Sequence, residues 1–376
     1  MIWLITIFIL ILVPGLLIQD INTNDIRKRQ YLMVVFSAMT IIAGFRATSV
    51  GIDSENYAYS FSYIYENGIE GVSNLTYKYE LGYLVLTYLL SRIYSLPALL
   101  FLTIACTTYG LFARTIYKYS KDVVMSSFLF AIYFFPSTMN TMRQYLALSI
   151  ILAAIPFIEK KKPINYLLVI LLASTFHNTA ILFAVFVVFA LKKIHISTKV
   201  VAIASIVSIA SLYFFDQLLS LFLRYFNQYE RFMSSIKYSG QSSIDYFWIT
   251  FYIVVALIYY FYAKNNENKY KVNDTKESEE KNSSIEIDNL FCILFIISIV
   301  CMVFSSHLWI ATRINSYFRF SMCFIFPICA KYINEYLKRY RIFFNIWFYA
   351  FFSYLGYYML LTDGHRILPY LFFWDK

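Results

Sequence analysis

The stretch that decides the fold is "LGYLVLTYLLSRIYSLP", Leu81 to Pro97. Read as a membrane crossing, it inverts the orientation of everything after it. Too few apolar residues precede Arg92 and the Pro97 break for the roughly 20 that a spanning helix needs, so its length fits a re-entrant or interfacial helix. The charges agree. If 81–97 crossed, "RKR" at 27–29 would face away from "KYSK", "KKK" at 160–162, "KK" at 192–193 and "KRYR", against the positive-inside tendency.

Outward from that segment, the chain reads as one all-α polytopic membrane domain over residues 1–376. With 60% hydrophobic and only 14% charged residues it does not resemble a soluble core. Runs such as "FCILFIISIVCMVF" are apolar on every face, which excludes the alternation of a β-barrel. The first run, Ile2 to Ile18, lacks a basic n-region and a small-residue cleavage site, and is read as a retained helix.

Apolar runs between polar breaks predict twelve crossings, near 2–18, 31–45, 98–117, 123–135, 143–158, 164–176, 178–191, 200–215, 246–263, 289–305, 317–333 and 342–361. This threading puts 21 of the 32 lysines and arginines on the cytoplasmic face and leaves 11 for the other. Both termini and an external loop, 46–80, then lie outside. Residues 263–288, rich in Lys, Asn, Ser and Glu, are expected to form a flexible cytoplasmic linker.

The same composition narrows the chemistry. Cys106, Cys292, Cys301, Cys323 and Cys329 all fall inside apolar runs, without metal-ligand spacing, so neither a disulfide nor a metal site is expected. The net charge of +10 is explained by the cytoplasmic loops and does not point to nucleic acid.

Several polar residues are not required by such a fold, and all fall on the face opposite the basic loops. They are Arg46 and Asp53 in "FRATSVGIDSENY", Glu80 in "YKYELGY", Arg143 in "NTMRQYLA", His177 in "STFHNTA" and Arg313 in "WIATRINSYFRF". The helix from Pro163 to His177 rises only about 21 Å, against a hydrocarbon thickness of roughly 30 Å. His177 is therefore expected below the external surface, at the floor of a wet cavity; the alternative is a hydrogen-bonded structural histidine in a hairpin.

Arg143 opens a helix, where its charge meets the unfavourable end of the macrodipole, so it calls for another partner such as an anion; the alternative is a snorkelling arginine. Arg313 is expected in a short external turn, with Tyr317 and Arg319 one turn further on, Arg319 fitting a snorkelling role better. Gly51 permits a tight turn that would cluster Arg46 with Asp53, as site residues or as a pair that only holds the loop. Glu80 begins the 81–97 helix, where an acid suits the N-terminus.

Arginine forks match phosphate oxygens, and a carboxylate or imidazole can take a proton from a hydroxyl. Gathered at an outer membrane face, these groups suit glycosyl transfer with a lipid pyrophosphate as leaving group. Imidazole exchanges protons near neutrality, whereas carboxylates beside arginines are weaker bases. His177 is accordingly favoured as the base, with Glu80 positioning the acceptor and Asp53 orienting Arg46.

At these residues the sequence resembles the EpsG-type family of Wzy-like polymerases for O-antigen, capsular and exopolysaccharides. The resemblance rests on "FRATSVGIDSENY", "YELGY", "MRQYLALSIILAAIPFIEKKK", "LLASTFHNTAILF" and "RINSYF", together spanning about 30 to 330. Ile52 stands where the family often has Thr, and the 263–288 stretch is long.

The resemblance implies a polymerase that joins undecaprenyl-pyrophosphate-linked repeat units on the outer face of the bacterial cytoplasmic membrane. No nucleotide sugar, metal or other cofactor would be used. Tyr57 and Tyr317, within the matched motifs, join Arg46, Arg143 and Arg313 as expected substrate-binding residues. Lipid-linked repeat units and membrane lipids are the implied partners, with a flippase and a chain-length regulator as further candidates. A flippase would need polar groups accessible from both faces, and an O-antigen ligase would differ only in its acceptor.

Overall fold

The computed structural model describes residues 2–18, 20–192, 203, 206, 243–270, 276–305, 309–361 and 366–375. Among them the regular structure is helical, with no strand beyond an isolated pairing of Arg46 with Phe372. A backbone in hydrocarbon must satisfy its own N–H and C=O groups, and a helix does so within one segment. The chain forms two compact units, residues 1–192 with 334–376 and residues 193–333.

The first unit contains α1 (Ile2–Leu17), α2 (Asp25–Gly44), α3 (Ser54–Asn74), α4 (Leu81–Ser91), α5 (Ala98–Tyr119), α6 (Val123–Tyr133), α7 (Phe135–Asn140), α8 (Met142–Ala153), α9 (Ile155–Glu159), α10 (Pro163–Ser174) and α11 (Val188–Leu191). Capping fixes two of the starts. Asn24 accepts from the Arg27 N–H at 3.1 Å, and Asp122 accepts from Val124 and Met125 at 3.0 and 3.2 Å, each cap contributing about 1 kcal/mol. Behind the site lies an aromatic core in which Phe112 meets Phe130 at 4.9 Å and the Tyr109 hydroxyl lies 2.5 Å from that of Thr138.

In the second unit, α12 (Ser243–Tyr270), α13 (Lys276–Ser305) and α14 (Trp309–Arg319) are followed by α15 (Met322–Tyr336), and α16 (Arg341–Leu361) returns to the first unit. Phe291 stacks on Phe324 at 3.9 Å, and the buried Ser298 hydroxyl donates to Asn315 at 2.8 Å.

Among the described residues, four segments are long and apolar enough to cross a membrane: Ala98–Tyr119, Met142–Glu159, Phe247–Asn265 and Ser284–Ser305. The eleven residues of α4 rise about 16 Å, roughly half the hydrocarbon thickness, so by length α4 cannot cross alone. Of the other expected crossings, 200–215 lies outside the described residues apart from Ile203 and Ile206.

The structure departs from the sequence reading at several elements. The expected external loop 46–80 contains the helix α3, kinked at Gly68. It buries Tyr57, Phe61 and Ile64 on one face, an amphipathic spacing that a search for uninterrupted apolar runs passes over. Residues 178–187 are a 3-10 helix rather than an α-helix. Ten residues at about 2.0 Å and the four of α11 at 1.5 Å rise about 26 Å, more than the same count wound as α-helix.

The expected crossing 317–333 is broken between α14 and α15, because Asn315, Tyr317 and Phe318 form the buried face of a separate amphipathic helix. Finally, α12 continues to Tyr270 and α13 begins at Lys276, so the described parts of 263–288 are helical where an aperiodic linker was expected.

Candidate functional site

Glu80 stands at the N-terminal boundary of α4, with its backbone extended. One of its carboxylate oxygens lies 3.2 Å from His177 Nδ1 and also accepts from the Asn178 N–H at 3.2 Å. The other pairs with Arg143 in the first turn of α8. A single carboxylate therefore joins three segments that are far apart in sequence.

What allows the approach is Gly82. Its N–H donates to the Thr175 carbonyl at 2.8 Å. A Cβ there would lie 2.3 Å from Thr175 Oγ1 and 2.8 Å from Thr175 O, so only glycine lets the start of α4 press against the end of the α10 hairpin.

Arg143, misplaced by its helix dipole, finds compensation in this arrangement. Besides Glu80, its guanidinium lies 5.7, 4.8 and 5.4 Å from the ring centroids of Tyr57, Tyr79 and Tyr83. Each aromatic face adds about 0.5–2 kcal/mol of attraction, more as water is excluded. The rings are themselves fixed: the Tyr83 hydroxyl lies 2.8 Å from that of Ser60, and Tyr79 donates to the Asn56 carbonyl at 3.2 Å. The helix α3 thus supplies one wall of the box through Tyr57 and Ser60.

The electrostatics follow from this packing. Burial alone would raise the pKa of Glu80; contact with His177 and the charge of Arg143 outweigh it, and the carboxyl is held below its ordinary value. Burial pushes the Tyr57 hydroxyl up to about 12 even beside Arg143, so it is a neutral donor at physiological pH. The side chains of Arg143, Glu80 and His177 keep 17%, 11% and 18% of their exposure. They are enclosed enough for strong electrostatics yet can be reached by a ligand.

The sequence expectation joining Arg46 to Asp53 is corrected. Arg46 is 2% exposed and directs its donors to the carbonyls of Ala43 and Met139, the latter at 3.0 Å, and to Ser54 Oγ at 3.4 Å. Its guanidinium also covers Phe101 at 4.2 Å. Gly51 does make the turn, at φ 97°, but turns the chain onto α7: Met139 receives Arg46, and the Asp53 N–H donates to Asn140 Oδ1 at 3.0 Å. Arg46 therefore anchors the loop against the segment that leads into Arg143.

The C-terminal segment secures the same turn from its other side. Ala47 N–H donates to Leu371 O at 2.8 Å, Gly51 N–H to Arg366 O at 2.9 Å, and Phe373 N–H to Phe45 O at 2.9 Å.

Tyr57, Glu80, Arg143 and His177 are thus brought together as expected candidates, with Asp53 at the head of α3 nearby in the same unit. Arg313 and Tyr317 stand on α14 in the second unit. Arg313 is exposed on a helix, where a turn was expected, and Tyr317 is buried. Sequence reasoning missed Tyr79 and Tyr83. Their signal was present in "YKYELGY", which places a tyrosine immediately before Glu80 and another three residues after it. Among the described residues no cluster of three His, Cys, Asp or Glu side chains could hold a metal ion.

In comparisons with known proteins, the family model described as EpsG family matches residues 29–372. No curated protein and no solved structure matches.

Proposed function

The chain belongs to the EpsG family, and from that membership we propose that it is a polysaccharide polymerase acting on lipid-pyrophosphate-linked oligosaccharides at the outer face of the bacterial cytoplasmic membrane. The observation that carries this reading is the Arg143–Glu80–His177 cluster in its tyrosine box. It offers a fixed cation for a departing pyrophosphate beside a group able to take a proton.

In the proposed reaction a hydroxyl of one repeat unit attacks the anomeric carbon of the glycan on a second carrier. The new glycosidic C–O bond forms as the bond to pyrophosphate breaks. His177 takes the hydroxyl proton, and the electron pair of the broken bond leaves with the lipid pyrophosphate. Negative charge grows on that leaving group in the transition state, where a preorganised arginine stabilises it more than it does the ground state. Glu80, facing Nδ1 of His177, orients the imidazole so that Nε2 meets the acceptor, and it supports the positive charge that forms on the ring. The roles first expected of the acids shift accordingly: Glu80 positions the base and Arg143 rather than the acceptor, and Asp53 stands before α3 with its backbone N–H donating to Asn140.

The proposed topology keeps α4 from crossing, so that Glu80, Arg143 and His177 share the external face and the basic runs lie inside. The direct test is turnover by the purified protein on lipid-linked repeat units, with and without EDTA. Polymer longer than one repeat unit, formed in EDTA, is the expected result. Transfer of a preformed chain to a lipid A core would make the protein a ligase, and translocation without new glycosidic bonds would make it a flippase.

A further inference from the structure

Elsewhere in the first unit, along a face that includes no residue of the tyrosine box, α2 and α5 border an open groove of about 1000 Å³. One face of each helix lines it, from Arg29 to Ile41 on α2, with Phe45 just past its end, and from Leu102 to Tyr117 on α5. The floor is apolar and made low by small residues: Cys106, Gly110 and Ala113 on α5 and Ser37 on α2. A Cβ built at Gly110 would meet nothing within 4 Å, so the missing side chain leaves open space rather than a close helix contact.

The mouth of the groove is cationic. Arg114 is exposed and has no acidic partner among the described residues. Arg29 is shared between Asp25 at 3.0 Å and the Tyr117 hydroxyl at 3.0 Å, and Lys28 lies 5.1 Å from the Tyr117 ring. Of these cations, Arg29 is paired with Asp25, while Arg114 is left to the groove.

We propose that this groove binds an anionic phospholipid, its phosphate held by Arg114 and Arg29 and one acyl chain lying along α5 over Gly110. Charge complementarity selects the headgroup, since basic pockets between membrane helices favour anionic lipids. Length selects the chain. Twelve residues separate Arg114 from Leu102, a rise of about 18 Å, somewhat more than half of the roughly 30 Å hydrocarbon thickness. That is room for an extended acyl chain, whereas a polyprenyl carrier would be far longer than the groove. The positive-inside pattern assigns this end to the cytoplasmic leaflet, opposite the proposed reaction.

The experiment is native mass spectrometry and lipid extraction on the full chain, purified in mild detergent from a host that makes both zwitterionic and anionic phospholipids. The wild type is expected to retain one anionic phospholipid per chain. Arg114→Gln should lower retention about fivefold, the loss of one basic contact of about 1 kcal/mol. Gly110→Leu, whose Cβ would meet nothing within 4 Å, should occupy the open space and release the lipid while the protein elutes as a folded species at the wild-type position. No retained lipid in the wild type, retention in host proportions, unchanged retention in both variants, or a retained polyprenyl phosphate would each overturn the assignment.

Discussion

His177 Nδ1 and Glu80 Oε1 lie 3.2 Å apart, although 97 positions separate the residues in sequence. In the proposed reaction this contact makes the histidine the base and the carboxylate its positioning partner. His177→Gln is expected to abolish polymer formation in vitro while leaving binding of the lipid-linked donor intact. Glu80→Gln should retain measurable turnover. Wild-type turnover by His177→Gln together with a dead Glu80→Gln would reverse the two roles.

Arg143 donates through Nη1 to Glu80 while its planar guanidinium lies against three tyrosine rings. A lysine keeps the charge and loses the fork. Arg143→Lys should reduce turnover by roughly 10²–10³, the effect of losing one preorganised donor to a developing anion. Its amount in the membrane should stay at the wild-type level, as judged by immunoblot. Near-normal turnover would reduce Arg143 to a structural role.

Gly82 sets the distance between Glu80 and His177. Gly82→Ala forces a Cβ to within 2.8 Å of the Thr175 carbonyl, an overpacking that costs about 1–3 kcal/mol. Loss of activity with a lower melting temperature in detergent is the expected outcome. A variant with both properties unchanged would show that the close approach is dispensable.

The depressed pKa of Glu80 gives a pH dependence of definite sign. Its contribution to stability is fully present above the unfolded carboxyl value of about 4.3 and is lost as pH falls through the lower folded value. The melting-temperature difference between wild type and Glu80→Gln should therefore narrow as pH falls below about 4. A gap that persists unchanged in stronger acid would assign the effect to packing.

The topology is open to cysteine labelling in a cysteine-free background. Tyr77, 85% exposed beyond the end of α3, is expected to label from outside when replaced by cysteine, and the exposed Lys160 from inside. Backbone bonds tie residues 366–373 to residues 45–51, so a cysteine at Trp374 should label from the same side as one at Tyr77. Labelling of the two from opposite faces would contradict the threading.

The sequence by itself determined the helical class, because runs apolar on every face leave a backbone in hydrocarbon one way to satisfy itself within a segment. The limited length of α4 was also legible, from Arg92 and Pro97, as were the candidates Arg143 and His177, polar residues at odds with their surroundings, and Glu80, an acid at a helix start within an apolar chain.

Tertiary structure alone decided what those residues do to one another. Whether Arg46 meets Asp53 or the carbonyls of Ala43 and Met139 depends on which segment packs across the Gly51 turn, and that segment is some 90 positions away. The tyrosine box arises in the same way. Tyr57 shares a helix face with Ser60, but only the docking of α3 on α4 turns that face toward Arg143. Periodicity reports which face of a helix is buried; it does not report against what, because contacts distant in sequence are set by the packing of the whole unit.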